Sequence, residues 1–156
     1  GLSYDQNGQT DKAIEAYRKA VITKGKQEDR EFKRLSLFNL GNAYIGKKQY
    51  DSAIASYKLA LAMKKDDPQV LYNLGVSCMY KDDYKNAAEW FSQSLAIESG
   101  NADAHSSIAV ALYHLKQYEQ AWQHINQAKE LGAEVQPELY KVLANKAGQG
   151  NNIINK

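Results

Sequence analysis

Residues 37–60 read L-F-N-L-G-N-A-Y-I-G-K-K-Q-Y-D-S-A-I-A-S-Y-K-L-A. Apolar residues recur there at helical spacing on both sides of a polar break at residues 46–49, so the stretch predicts two amphipathic helices joined by a short turn. The pattern then returns twice at a constant offset. Leu40-Gly41 becomes Leu74-Gly75 and then Ile108-Ala109. Tyr50, Tyr84 and Tyr118 keep the same spacing, as do Ala53, Ala87 and Ala121, and Tyr57, Phe91 and Ile125. A fixed period of this kind marks an array of one supersecondary unit.

The array extends in both directions. Aligning Ala13 on Ala53 puts Gly1 on Gly41 and Tyr4 on Tyr44. The chain is therefore expected to begin inside a helix, as a fragment of a longer one. Residues 1–7 are predicted to end that helix, Gly8-Gln9 to make the turn, and Thr10 or Asp11 to cap the next helix. Ala13, Ile14, Tyr17, Ala20 and Val21 form its apolar stripe, up to about Thr23.

Ala13 lies farther from Ala53 than Ala53 does from Ala87, and the excess amounts to nearly two helical turns. The additional residues fall in the charged segment 24–34, K-G-K-Q-E-D-R-E-F-K-R. It could open a loop at Gly25, but an extended start to the next helix is preferred, with Asp29 near its N-terminus. The segment is expected to project into water. Helical pairs follow at 28–46 with 50–63, 68–80 with 84–97, and 102–114 with 118–131. Asp66-Asp67-Pro68 marks one helix start, because proline is tolerated in a first turn. Gly132 stops the last pair, and Pro137 opens a final helix. The expected organisation is one array over 1–147: a partial repeat at 1–33, repeats at 34–67, 68–101 and 102–135, and a capping helix at 137–147. Residues 148–156 are expected to be a flexible tail.

Composition narrows the function classes. Of 156 residues, 44% are apolar and 24% charged, an ordinary globular balance. A net charge of +2 gives no argument for nucleic acid or an anionic membrane. No apolar run approaches the roughly 18 residues of a spanning helix. Cys78 is the one cysteine, which excludes an internal disulfide. Cys78 lies in the packed stripe and reads as an inert thiol. His105, His114 and His124 do not read as a joint metal site. No glycine-rich phosphate loop or catalytic triad order stands out. Asp82-Asp83 reads as a turn and cap. Lys47-Lys48 and Lys64-Lys65 read as turn charges, and Trp90 and Trp122 as packing between repeats. No catalytic residue, metal or cofactor is therefore assigned.

Small residues recur where helices must cross closely: Gly41, Gly75 and Ala109 on first helices, Ala53, Ala87 and Ala121 on second ones. A larger side chain there would overpack, at a typical cost of about 1–3 kcal/mol. Tyr57, Phe91 and Ile125 fill the space between adjacent pairs.

These residues resemble the tetratricopeptide repeat family. Leu40-Gly41-Asn42-Ala43-Tyr44 with Ala53 and Tyr57 is the fullest copy. Leu74-Gly75 with Ala87 and Phe91 follows, carrying Cys78 at the tyrosine position. Ile108-Ala109, Leu112, Ala121 and Ile125 form a degenerate copy, and Gly1, Tyr4, Ala13 and Tyr17 a truncated one. The resemblance implies an all-α, right-handed superhelical solenoid of antiparallel helix pairs, with first helices lining a concave face. Carried over by position, that face holds Phe38, Asn39, Asn42, Ile45, Tyr72, Asn73, Val76, Met79, Tyr80, Ser106, Ser107, Val110, Tyr113, His114, Tyr140 and Lys141. Asparagine offers a donor and an acceptor to a peptide amide, and tyrosine adds contact area at low entropic cost.

The resemblance thus implies a non-enzymatic scaffold that binds a peptide or helix of a partner protein, while composition points to no nucleic acid and no membrane. Some family members hold the acidic C-terminus of heat-shock chaperones in a basic clamp. Asn42 and Asn73 match two clamp positions, but its cationic positions fall on Phe38, Asp103 and Ser107. Chaperone-tail binding is not expected. Two alternatives stay open. One is self-association through Ile14, Tyr17 and Val21, which a truncated first helix would leave partly uncovered. The other is a substrate-docking part of a larger enzyme, such as a glycosyltransferase or kinase.

Overall fold

The computed structural model describes residues 2–22 and 28–148. Among them are eight helices and no strand: α1 Leu2–Ile22, α2 Glu28–Gly46, α3 Tyr50–Met63, α4 Pro68–Met79, α5 Tyr84–Ile97, α6 Ala102–His114, α7 Tyr118–Glu130 and α8 Pro137–Lys146. They stack as antiparallel hairpins into a right-handed solenoid. Thr23, Gly25 and the tail from residue 149 lie outside the described residues.

The repeat is visible in its turns. Lys48, Asp82 and Lys116 are equivalent positions in successive repeats, and all take a left-handed conformation, at φ 57°, 57° and 62°. Each lets the next amide reach back into the preceding helix: Gln49 to Tyr44 O at 2.9 Å, Asp83 to Cys78 O at 3.0 Å and Gln117 to Leu112 O at 2.9 Å. These bonds satisfy carbonyls that the helix end leaves orphaned. Gly132, at φ 90°, ends α7 the same way, with Ala133 N–H donating to Ala128 O. Helix starts are capped by Asp67, Asp83 and Asn101, whose side chains accept from Val70, Asn86 and Ala104 amides.

Packing follows the small–large pairing of the sequence. Gly41 lies under the ring of Tyr57, and Gly75 under the ring of Phe91. Tyr57 and Phe91 are buried, as are Ala109 and Ile125 at the corresponding positions. One buried cluster runs from Ile14 through Leu40 and Tyr57 to Leu74, a second from Cys78 through Phe91 to Leu143. Trp90 and Ile54 pack against both, so the two clusters are continuous along the solenoid. Burial pushes the Cys78 thiol up, with a smaller contribution from Asp83, which keeps it protonated and unreactive.

Three expectations change. Gly8-Gln9 is not a turn, because α1 is continuous from Leu2 to Ile22. The stretch before the expected break is too short to pack as an arm, so the intrahelical hydrogen bonds of one helix win. The charged segment does extend α2 to 19 residues, and Arg30, Glu31 and Phe32 are exposed. Arg34 is not in water, however. Its side chain is 10% exposed and its Nη1 donates to Asp67 Oδ2 at 2.5 Å, while Nε and Nη2 reach Glu31. Finally, Ile14 is covered by α2 and is 8% exposed. Among the described side chains of α1, Tyr17 and Val21 stay half-buried and Ile22 is 76% exposed.

Candidate functional site

Asn42 on α2 and Asn73 on α4 meet at one point. Tyr57 Oη donates to Asn42 Oδ1 at 2.6 Å, and Asn73 Nδ2 donates to the same oxygen at 3.1 Å. The spacing explains the meeting. Asn42 follows Gly41, whose missing side chain admits the Tyr57 ring, and the phenol emerges beside the neighbouring asparagine. Burial pushes the Tyr57 hydroxyl up to about 12, partly opposed by the Asn73 amide. It therefore stays a donor at neutral pH.

Around this knot lies an open cleft of about 190 Å³, lined by Asn42, Ile45, Tyr57, Asn73 and Val76. Every lining side chain is uncharged. The donors on Asn42 Nδ2 and the acceptor Asn73 Oδ1 have no protein partner among the described residues. Asn73 also borders a second cleft of about 500 Å³, with Tyr72, Asp67, Pro68, Gln69, Glu98 and Asn101. The two clefts thus share Asn73 as a lining residue.

The structure sorts the sequence-derived residues into groups. Asn42, Asn73 and Val76 share the first cleft, and Tyr72 joins the second. Phe38 packs tilted on Tyr57 at 5.9 Å and Tyr72 on Phe91 at 5.3 Å, so both rings rest on the core. Asn39, Ser107 and Val110 are half-buried and border neither cleft. Met79 and Tyr113 pack against the second core cluster.

His114 stands at the turn end rather than over a cleft. It stacks on Tyr84 at 4.1 Å and 4°. One repeat earlier, Tyr80 stacks in the same way on Tyr50 at 5.0 Å and 10°. Tyr140 and Lys141 belong to a separate cleft of about 350 Å³ with Lys129, Ala133, Val135 and Pro137. There Tyr140 Oη donates to Asn126 Oδ1 at 2.8 Å, and Lys129 Nζ lies 4.5 Å from its ring centroid.

Sequence reasoning placed Tyr57 wholly in the core and missed its polar tip. The signal available was the choice of tyrosine where the next repeats carry Phe91 and Ile125. It also missed the approach of His105 and His124, whose spacing matches no element of the repeat. Among the described residues no helix is long and apolar enough to cross a membrane, and no group of three or more His, Cys, Asp or Glu gathers as metal ligands.

Sequence profiles described as "TPR repeat" and "Tetratricopeptide repeat" match residues 41–79 and 79–145, and a further "Tetratricopeptide repeat" profile matches 1–21. Curated proteins yield no match. Among solved structures, MamA aligns at TM-score 0.80 and 17% identity, over 97% of this chain and 86% of that one. The first tetratricopeptide domain of Spaghetti (RPAP3), bound to the HSP90 peptide SRMEEVD, aligns at TM-score 0.67 and 22% identity, over 74% and 91%. The Sgt2 domain from Aspergillus fumigatus aligns at TM-score 0.69 and 20% identity, over 80% and 85%. With three profiles distributed along the sequence and the same stacked hairpins in each structural neighbour, the chain belongs to the tetratricopeptide repeat family.

Proposed function

We propose that this chain is a non-enzymatic scaffold that grips an extended, uncharged peptide segment of a partner protein across α2 and α4. The observation that carries this reading is the Asn42–Asn73 knot. One asparagine retains free N–H donors and the other a free carbonyl, which complement the C=O and N–H of a peptide backbone. Ile45 and Val76 beside them offer an apolar wall for a side chain. Structural neighbours carry peptides in the same kind of array: one domain of RPAP3 is bound to an HSP90 peptide and another is in complex with the HSP70 peptide SGPTIEEVD.

Those peptides end in acidic residues. Here Phe38, Asp103 and Ser107 stand where the family's clamp needs cations, and the exposed carboxylate of Glu98 borders the adjoining cleft. Carboxylates would meet repulsion rather than a counter-ion. The ligand is therefore an uncharged segment, not a chaperone tail. The test begins with peptides selected on the immobilised chain from a random library. Selected peptides should lack acidic residues, and SRMEEVD should bind no better than a scrambled control. The Asn42→Ala/Asn73→Ala variant should lose about 10-fold or more in affinity, as expected for two bonds each worth about 0.5–1.5 kcal/mol, with unchanged far-ultraviolet circular dichroism. Equal affinity in the folded variant would refute the reading.

A further inference from the structure

His105 and His124 form a feature that the groove does not use. His105 lies in the first turn of α6, where Asn101 caps the helix and accepts the His105 amide at its own carbonyl. His124 lies midway along α7, next to buried Ile125. Their Nδ1 atoms face each other at 3.0 Å, with ring centroids 5.2 Å apart. The other nitrogen of His105, Nε2, is 3.2 Å from the carbonyl oxygen of Ser99.

That carbonyl can only accept, so it places the His105 proton on Nε2 and leaves a lone pair on Nδ1. A backbone carbonyl holding the distal N–H is the usual second partner of a metal-bound imidazole. Both rings are half-buried rather than sealed, so an ion can reach them.

We propose that the His105–His124 pair is a two-imidazole site for a borderline divalent cation of the copper(II) and nickel(II) class. Two imidazole donors and the Irving–Williams order favour that class, and the spacing fits it. With metal–nitrogen bonds of about 2.0–2.1 Å, nitrogens 3.0 Å apart subtend roughly 95° at the ion. That is the cis angle of a tetragonal centre, narrower than zinc's tetrahedral angle. The proton shared between the two Nδ1 atoms moves to His124 Nε2, so each neutral ring keeps one proton and gives the ion one lone pair. Two protein ligands leave positions open for water or for a donor from another molecule.

Copper(II) is titrated into the full chain at pH 7.5 with glycine as competing chelator. Visible absorbance and electron paramagnetic resonance are the readouts. One ion per chain is expected, with hyperfine coupling from two imidazole nitrogens. His105→Gln and His124→Gln should each weaken binding about 10-fold or more, while His114→Gln should not change it. Zinc(II) should compete poorly, following the Irving–Williams order. The absence of two-nitrogen coupling in the unmutated chain overturns the proposal whatever the variants do. So does undiminished affinity in folded His105→Gln or His124→Gln, folding being checked by circular dichroism.

Discussion

Gly75→Ala is expected to destabilise the array by about 1–3 kcal/mol, although alanine favours a helix over glycine by up to about 1 kcal/mol. A Cβ at position 75 would lie 2.5, 2.6 and 2.8 Å from Cε1, Cδ1 and Cζ of Phe91. That ring is 0% exposed and cannot swing into solvent. Phe91→Ile alone leaves a void and is also destabilising. Together the two substitutions reproduce the Ala109/Ile125 pair that the third repeat already uses. Urea unfolding of the four proteins should therefore give a favourable coupling of about 1 kcal/mol or more, within the range seen for residues in contact. Additive single effects would mean that the small–large pairing is incidental.

Arg34→Met is expected to cost about 3–5 kcal/mol, the typical penalty for removing one partner of a buried ion pair. The Arg34 and Asp67 side chains are 10% and 12% exposed. Asp67 also caps α4 by accepting from the Val70 amide at 3.3 Å. Without the guanidinium, its carboxylate would remain buried beside a helix start with no cation. Asp67→Asn removes the charge and retains a capping oxygen, so Arg34→Met/Asp67→Asn should recover a large part of the loss. Glu31, whose side chain is 62% exposed, also binds Arg34, but an exposed partner contributes less than about 1 kcal/mol. Chemical denaturation separates the two cases. Equal effects of Arg34→Met and Glu31→Gln would show that the Asp67 contact contributes little.

The periodic part of this molecule was legible in its sequence. Helix starts at Tyr50, Pro68, Tyr84, Ala102, Tyr118 and Pro137 follow from caps, turns and apolar spacing, and the solenoid follows from the constant repeat period. Gly41 and Gly75 could be assigned to close crossings because each precedes its large partner, Tyr57 or Phe91, at the same interval. The non-periodic part was not legible. Arg34 looked like one more charge in a solvated run, and only the stacking of α2 against the start of α4 brings Asp67 within 2.5 Å. His105 and His124 have no counterparts in other repeats. The groove was half legible. Position alone put Asn42 and Asn73 on one face, but not the shared hydrogen bond or the Tyr57 hydroxyl beneath it. His114 was assigned to that face by register, while its ring is taken up by a stack on Tyr84 at the turn end.

The groove reading is tested most directly by nuclear magnetic resonance of the asparagine side-chain amides during titration with a library-selected, uncharged peptide. The NH₂ pairs of Asn42 and Asn73 are expected to shift and saturate together, while that of Asn126, beside Tyr140 in the distant cleft, stays in place. Saturating peptide that leaves Asn42 and Asn73 unmoved and shifts resonances elsewhere would contradict it.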